Sequence, residues 1–151
     1  MVSDLRTALF RMWFRVSRPV TLGVRGLVEN TEGQVLLVRH TYIAGLYFPG
    51  GGVEKAESAG TALERELIEE AGIAVTTAPD LHGIYSNHKT FKNDHVLLYR
   101  VRAWRSVPAT SRGEISEIVW CDPQTPPDDA TPATKRRLSE IYRAAPRSDH
   151  W

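Results

Sequence analysis

The chain has 151 residues, of which 42% are hydrophobic and 25% are charged, and this length corresponds to a single domain. Its net charge of +1, from 19 basic and 18 acidic side chains, excludes a dedicated nucleic-acid binder with a strong basic excess. Cys121 is the single cysteine, so the chain cannot form an intramolecular disulfide, and a free thiol favours a reducing, cytoplasmic location. No stretch is apolar for long enough to predict a transmembrane helix.

The sequence predicts three segments: an amphipathic helix at 1–18, a main domain at 19–145 and a frayed tail at 146–151. The helix has an apolar stripe at helical spacing, formed by Leu5, Ala8, Leu9, Met12, Trp13 and Val16. Four arginines accompany the stripe: Arg6, Arg11, Arg15 and Arg18. We expect the apolar face to dock on the chain's own domain or on the partner of a homodimer, with a membrane-surface helix as the alternative.

The first half of the main domain is predicted to contain strands followed by a helix. Two β-rich segments, Thr21–Val28 and Gln34–Arg39, flank turn residues and predict a β-hairpin. A short strand is predicted at Leu46–Pro49. The next helix is expected to run from about Ser58 to Ala71. Gly72 ends it, because glycine adopts the left-handed conformation that terminates helices.

The second half of the domain is predicted to return to strands and to close with a helix. The strands are expected at Val75–Thr77 towards Tyr85, at His95–Trp104 and at Ile118–Cys121. Thr131 is a helix cap and Pro132 the first residue of the closing helix. This order of elements indicates an α/β fold in which helices pack on a mixed sheet.

Three carboxylates in the middle helix point to chemistry. Glu66, Glu69 and Glu70 recur at i, i+3 and i+4, which places them on one face of the helix. Like charges in that arrangement repel one another, and a divalent cation compensates them, because carboxylate oxygens are preferred ligands of Mg²⁺. We expect all three carboxylates to be held outward while the apolar face of the helix packs on the sheet.

Three consecutive glycines, Gly50, Gly51 and Gly52, precede this helix. Glycine permits positive φ angles and the close approach of a ligand. Backbone N–H groups in such a turn, together with the helix N-terminus, favour a phosphate oxygen. A glycine turn beside clustered carboxylates therefore predicts metal-assisted phosphoryl chemistry.

Residues 51–73 resemble the Nudix box, in which Gly, Glu, Arg-Glu, Glu-Glu and Gly stand at fixed spacing with apolar residues between and after them. Every defined position is filled, by Gly51, Glu57, Arg65, Glu66, Leu67, Glu69, Glu70, Gly72 and Ile73. Phe48-Pro49-Gly50 is also similar to the segment that usually leads into the box. The resemblance implies an α/β/α sandwich with a mixed β-sheet, to which this chain adds its N-terminal helix.

The resemblance also implies a hydrolase that uses Mg²⁺ or Mn²⁺ to cleave a pyrophosphate bond in a nucleoside diphosphate linked to another moiety. By position, the metal ligands would be Glu66, Glu69 and Glu70, with the Gly50 carbonyl as a further one. The glycines Gly50, Gly51 and Gly52 would contact the substrate. Arg65 would orient the carboxylates, and Glu57 would be an accessory acid that lies near the metal or pairs with Arg65.

The resemblance leaves the general base open. Family members use either the residue at the Glu66 position or an acidic residue well downstream of the box. Glu114 and Glu117 precede the last predicted strand, and we favour Glu114. A base must reach the attacking water through a hydrogen bond, which spacing alone does not show.

The sequence also leaves the substrate open. Lys89, Thr90 and Phe91 occupy positions where members acting on ADP-ribose or on dinucleoside polyphosphates often carry Pro or Tyr. The upstream pattern of coenzyme A hydrolysing members is missing too. Two alternatives to an enzyme remain: a Nudix-like module that senses a nucleotide without cleaving it, and a peripheral membrane or scaffold protein led by the N-terminal helix. The complete carboxylate set argues against a sensor.

Overall fold

Three helices and seven strands make up the described part of the computed structural model, which describes residues 2–110 and 113–151, with side chains described from residue 5 onward. In chain order the described elements are α1 (Val2–Ser17), β1 (Thr21–Val28), β2 (Val35–His40), α2 (Ala59–Ala71), β3 (Ile73–Val75), β4 (Asp80–Ser86), β5 (Asp94–Val101), β6 (Trp104–Ser106), β7 (Ile115–Cys121) and α3 (Pro132–Tyr142).

The described strands pair in three groups. The largest sheet has the order β1-β5-β4 and is mixed, as predicted, because β1 runs parallel to β5 whereas β4 runs antiparallel to it. Strand β2 pairs with β7, and β3 pairs with β6, both antiparallel.

The predicted hairpin between Thr21–Val28 and Gln34–Arg39 is wrong. The chain does turn at Asn30, whose backbone N–H donates to the Gln34 carbonyl at 3.0 Å, but the two strands join different partners. Turn-forming residues determine only where the chain reverses direction, not which strands pair. The choice of partner depends on distant strands, since both faces of β1 and β2 carry apolar residues that must be buried.

Alternate residues of the central strands face two apolar cores, which produces the predicted α/β/α sandwich. One core contains Val24, Val28, Leu36 and Val38 together with Ala62, Leu63 and Leu67 of α2. The other contains Leu27, Val35 and Leu37 together with Leu138 of α3. Successive side chains of a strand point to opposite faces, so each central strand contributes to both layers.

The caps of α2 and α3 form where the sequence predicts them. The Ser58 hydroxyl accepts the Thr61 backbone N–H at 3.1 Å before the first turn of α2. Gly72 ends α2 in the left-handed region, with a φ of 62°. Thr131 caps α3, and Pro132 is its first residue. Both helices are thus fixed by local side-chain and backbone chemistry.

The prediction that residues 146–151 fray is wrong. The Trp151 ring lies against Tyr85, with 5.7 Å between ring centroids, and the Trp151 backbone N–H donates to the Ser86 carbonyl at 2.9 Å. The buried Arg137 guanidinium also donates to the carbonyl of the penultimate residue, at 2.8 Å. The packing of the Trp151 ring and its backbone hydrogen bond therefore hold residues 146–151 against β4, although their polar composition is typical of a frayed segment.

The prediction that α1 docks on the chain's own domain is also wrong. The large residues of its apolar stripe remain more than half exposed, with exposed fractions of 65% for Leu5, 60% for Met12 and 77% for Val16. The two faces of the central strands pack against α2 and α3 instead. The homodimer remains a prediction. Over the described residues, no helix combines the length and apolarity needed to cross a membrane.

Candidate active site

The glycine turn is held against β1. Val24 donates its backbone N–H to the Gly51 carbonyl and Gly26 donates to the Pro49 carbonyl, both at 2.8 Å. A Cβ at Gly50, whose φ is 143°, would overlap the Val24 carbonyl. Glycine at position 50 is therefore required for this close approach of two backbone segments.

The short strand predicted at Leu46–Pro49 is wrong as a sheet strand. Leu46 and Tyr47 form isolated bridges only, to Ala130 and Val38 respectively. The glycine turn that follows also forms an isolated bridge only, from Gly52 to Gly23 of β1. The apolar residues of this segment are buried as expected, but its backbone bridges to neighbouring segments are too few to form a β-ladder.

Glu66 projects from α2 directly onto the glycine turn. A Cβ at Gly51 would overlap the Glu66 carboxylate, so the missing side chain leaves the space in which that carboxylate lies. Arg65 donates from Nη1 to Glu66 Oε1 at 2.7 Å, and the Glu66 side chain is 13% exposed. Glu66 is thus a largely buried, ion-paired carboxylate in contact with the turn.

Glu70, four residues after Glu66 on α2, contacts the same glycine turn. Its Oε2 accepts the Gly50 backbone N–H at 2.8 Å, and the residue is only 6% exposed. Burial raises the pKa of Glu70 to about 7, and the nearby charges of Glu66 and Glu114 act in the same direction. The expectation that all three carboxylates point outward is wrong for Glu70, because its oxygens replace water for a buried backbone group.

Arg65 binds the acidic residues of the box to one another. Its Nε donates to Glu57 Oε1 at 2.9 Å, its Nη1 lies 3.5 Å from Glu69 Oε2, and its Nη2 donates to the Gly52 carbonyl at 3.1 Å. The hydrogen bond from Arg65 lowers the pKa of Glu57. Of the two alternatives for Glu57, the structure shows the pairing with Arg65.

The two downstream acids stand in different environments. Glu117 accepts a hydrogen bond from Arg39 Nε at 2.8 Å, which occupies its carboxylate. Glu114 is exposed in the bend before β7, and its backbone carbonyl accepts the Thr41 N–H at 2.9 Å. The Glu114 charge contributes to the raised pKa of Glu70.

His40 is a site residue that the sequence reasoning missed. It ends β2, is 8% exposed, and places its Nδ1 3.8 Å from Glu70 Oε1. Within the described part of the chain this Nδ1 has no hydrogen-bond partner, and burial lowers the pKa of His40, which favours the neutral imidazole. The available signal was a histidine that directly continues the apolar run of a buried strand.

The donor set at the turn fits a hard divalent cation. The carboxylates of Glu66 and Glu70 and the backbone of Gly50 meet at one place, and oxygen is the ligand atom that Mg²⁺ prefers. A cation there would also offset the burial that disfavours the Glu70 charge. Among the described residues, no three acidic, His or Cys side chains stand close enough together to enclose a metal by themselves. Mg²⁺ usually completes its shell with water and substrate phosphates.

Two cavities flank the glycine turn. One, of about 350 Å³, is lined by Arg25, Tyr47, Phe48, Asn87 and Trp151 among others. The second, of about 260 Å³, shares three of these residues, Arg25, Asn87 and Trp151, and reaches the turn itself. Arg25 also donates to the Gly50 carbonyl at 2.5 Å. Flat aromatic surfaces with a few polar groups thus lie next to the glycine turn, as in sites that bind small ligands.

The raised pKa of Glu70 predicts that the free energy of unfolding of the metal-free protein, measured in chelator, depends on pH. Folded protein binds the Glu70 proton more tightly than unfolded protein, so this stabilisation is complete below the unfolded pKa and is lost as the pH rises through about 7. Between about pH 5 and about pH 7.5, wild type should lose about 2 kcal/mol relative to Glu70→Gln.

Urea unfolding of both proteins across this range measures the difference. His40 and His82, whose pKa values are lowered by burial, give the opposite slope, but both proteins contain them. Parallel pH profiles for wild type and Glu70→Gln would contradict the assignment of a buried, proton-binding Glu70.

The layered fold and the carboxylate-bearing helix beside a glycine turn match the arrangement expected of a hydrolase of phosphoric anhydrides. The NUDIX domain family model matches residues 19–142. A MutT-like protein of Streptomyces ambofaciens is 29% identical over 122 residues, which cover 81% of this chain and 71% of that protein. An 8-oxo-dGTP diphosphatase of Haemophilus influenzae is 31% identical over 93 residues, which cover 59% of this chain and 68% of that protein. The crystal structure of a MutT NUDIX hydrolase from Burkholderia pseudomallei has the same fold, with a TM-score of 0.69 and 21% identity over 82% of this chain and 98% of that one.

The chain belongs to the Nudix family, as the box at residues 51–73 predicts. It is a pyrophosphohydrolase of this family, which confirms the predicted enzyme class. The α/β/α fold implied by the resemblance is confirmed as well.

Proposed function

We propose that the chain hydrolyses a pyrophosphate bond of a nucleotide with the help of Mg²⁺ or Mn²⁺. The observation that carries this proposal is the meeting of two carboxylates, Glu66 and Glu70, at the Gly50-Gly51 turn. Arg65 pairs with Glu66, but burial disfavours the charge of Glu70, which a bound cation would offset, and the same turn offers backbone groups to a phosphate. Glu69, half exposed on the adjoining surface, is a further ligand.

The proposed roles of the side chains follow from their contacts. When bound, the metal supplies positive charge to the reacting phosphate and activates water. Glu66 and Glu70 hold it, with the Gly50 carbonyl as a further donor. Arg65 is a positioning residue, because it bridges the Glu66 and Glu57 carboxylates and the Gly52 carbonyl.

The general base is proposed to be Glu114. It accepts a proton from the attacking water and is free to do so, because it is exposed, whereas Glu117 is occupied by Arg39. Replacement of Glu114 by Gln should therefore lower kcat more than replacement of Glu117 by Gln.

The proposed substrate class is a purine nucleoside triphosphate, which is a nucleoside diphosphate linked to a phosphate group. The 8-oxo-dGTP diphosphatase among the relatives makes 8-oxo-dGTP the first compound to test. The aromatic cavity beside the turn supports a nucleobase there, because aromatic rings stack on bases. We also propose a cytoplasmic location, which the buried free thiol of Cys121 favours.

A panel of nucleoside triphosphates, nucleoside diphosphate sugars and dinucleoside polyphosphates, each incubated with Mg²⁺ and with Mn²⁺, tests this function. Products are separated by chromatography, with excess chelator as the control. We expect metal-dependent release of pyrophosphate or phosphate from a purine triphosphate. Nucleotide binding by calorimetry without any product would favour the sensor alternative, and full turnover in chelator would contradict the metal requirement.

The Trp151 ring is expected to contribute to nucleotide affinity. Because stacking on a base is worth about 1–3 kcal/mol, Trp151→Ala should raise KM by roughly 10-fold or more while kcat changes little. Trp151→Phe keeps an aromatic face and should retain most of the affinity. Steady-state kinetics on the best substrate measure both, with Trp13→Ala as the matched control on the exposed face of α1. An unchanged KM for Trp151→Ala would place the base elsewhere.

A further inference from the structure

Helix α1 presents an apolar surface that the described part of the chain does not cover. Leu9 is 54% exposed, Trp13 57% and Phe10 60%. The family model begins at residue 19, so the helix is an addition to the catalytic domain. Nothing in the proposed hydrolysis requires it, since none of the α1 side chains described from residue 5 onward lines the two cavities beside the glycine turn.

Two of the three arginines within the helix, Arg11 and Arg15, lie on a different face from its aliphatic residues, whereas Arg6 lies beside Trp13. Successive residues of an α-helix are about 100° apart, so Leu9, Met12 and Val16 fall within an arc of about 60°. Arg11 and Arg15 share a second arc, centred about 110° away from the first. This pattern is typical of helices that lie in a membrane interface, with apolar side chains inserted and cationic side chains at the headgroups.

An aromatic cluster borders the apolar face. The Phe14 ring lies 4.6 Å from Phe10 and 5.3 Å from Trp13, measured between centroids. The Arg18 guanidinium stands 4.9 Å from the centre of the Phe14 ring. Aromatic rings next to cationic groups favour the boundary between acyl chains and headgroups, where one side of the side chain is apolar and the other is wet.

Charge selects the partner. Residues 1–18 carry four arginines and one aspartate, a net charge of +3, whereas the other residues carry a net charge of −2. A second copy of α1 would bring further arginines to the seam with almost no carboxylates to offset them. An anionic lipid surface supplies both the apolar phase and the negative charge.

We propose that α1 lies flat on an anionic phospholipid surface and holds the hydrolase domain there. The apolar face inserts at the level of the acyl chains, and the arginines contact phosphate groups. The catalytic domain stays in the aqueous phase, tethered through residues 18–20, which lead directly from α1 into β1. This docking is independent of the reaction that the domain catalyses.

Vesicle co-sedimentation of the full chain tests the proposal. Vesicles of phosphatidylcholine alone are compared with vesicles that also contain phosphatidylglycerol. We expect binding to the anionic vesicles, weakened by salt. Arg11→Gln with Arg15→Gln should weaken partitioning by roughly 30-fold, because each arginine contributes about 1 kcal/mol near such a surface. Glutamine preserves helix propensity.

Two further variants make the test decisive. Arg105→Gln with Arg143→Gln removes the same charge from exposed positions outside α1 and should bind as wild type does. Leu9→Gln with Val16→Gln removes apolar surface and should also abolish binding. Failure of wild type to bind anionic vesicles, or equal binding by the Arg11 and Arg15 variant, would overturn the proposal. So would a dimer in sedimentation equilibrium that Leu9→Gln with Val16→Gln dissociates, because a second copy would then cover the face.

Discussion

Replacing Glu70 with glutamine should lower kcat by about 10²-fold or more at saturating Mg²⁺. The amide keeps the shape of the side chain and can still accept the Gly50 N–H, so the turn retains its anchor. It is a poorer ligand for a hard cation and stabilises the phosphoryl charge less through it. Metal affinity and turnover should therefore fall together, measured by calorimetry with Mn²⁺ and by steady-state kinetics.

The stability of the metal-free protein separates catalysis from folding. Glu70→Gln removes a charge that burial disfavours, so its free energy of unfolding in chelator should exceed that of wild type by up to about 2 kcal/mol near pH 7.5. Glu57→Gln should cost less activity, since Glu57 acts through Arg65. Glu64→Gln is the matched control, because Glu64 is an exposed acid on the same helix. If Glu70→Gln kept normal turnover, or lost several kcal/mol of stability in chelator, Glu70 would be a structural residue.

Local sequence signals predicted the parts of the fold that depend on neighbours in the chain. Ser58 and Gly72 bound α2, and Thr131 with Pro132 begins α3, because capping involves residues within one turn. The spacing of the box residues likewise follows helix periodicity, which places Glu66 on the face of α2 that contacts the glycine turn. The family and its layered architecture followed from these local features.

The features that the sequence did not reveal depend on distant contacts. The outward placement expected for Glu70 was wrong because helix periodicity cannot show what covers a face; here the turn at Gly50 lies over it. The predicted hairpin was wrong because β5 and β7, far along the chain, pair with β1 and β2. His40 was missed because its proximity to Glu70 arises only when β2 packs beside α2.

The docked tail is the clearest case of a long-range contact that composition conceals, and it rests on a buried ion pair. The Arg137 side chain is 0% exposed and that of Glu140 is 6% exposed, with 2.6 Å between Nη2 and Oε1. Glu140 Oε1 also accepts the Ser148 N–H at 2.9 Å. The guanidinium stands 4.1 Å from the centre of the Tyr85 ring. One carboxylate thus compensates a fully buried cation and holds the segment that ends in Trp151.

Removing the Glu140 carboxylate should therefore destabilise the fold by about 3–5 kcal/mol, because Glu140→Leu leaves the Arg137 charge buried and uncompensated. For a chain of this length the melting temperature should fall by roughly 10 °C. Arg137→Leu with Glu140→Leu removes both charges and should be more stable than Glu140→Leu alone. Glu117→Leu breaks the largely exposed pair with Arg39 and should cost about 1 kcal/mol or less.

The same variant should affect substrate affinity, because the tail places Trp151 in the cavity beside the glycine turn. In Glu140→Leu, KM should rise towards the value of Trp151→Ala, measured well below the melting temperature so that the protein stays folded. Nearly wild-type stability in Glu140→Leu would show that water reaches Arg137 and that the pair is not a buried one. Lost stability with an unchanged KM would show instead that the tail keeps Trp151 in place without Glu140.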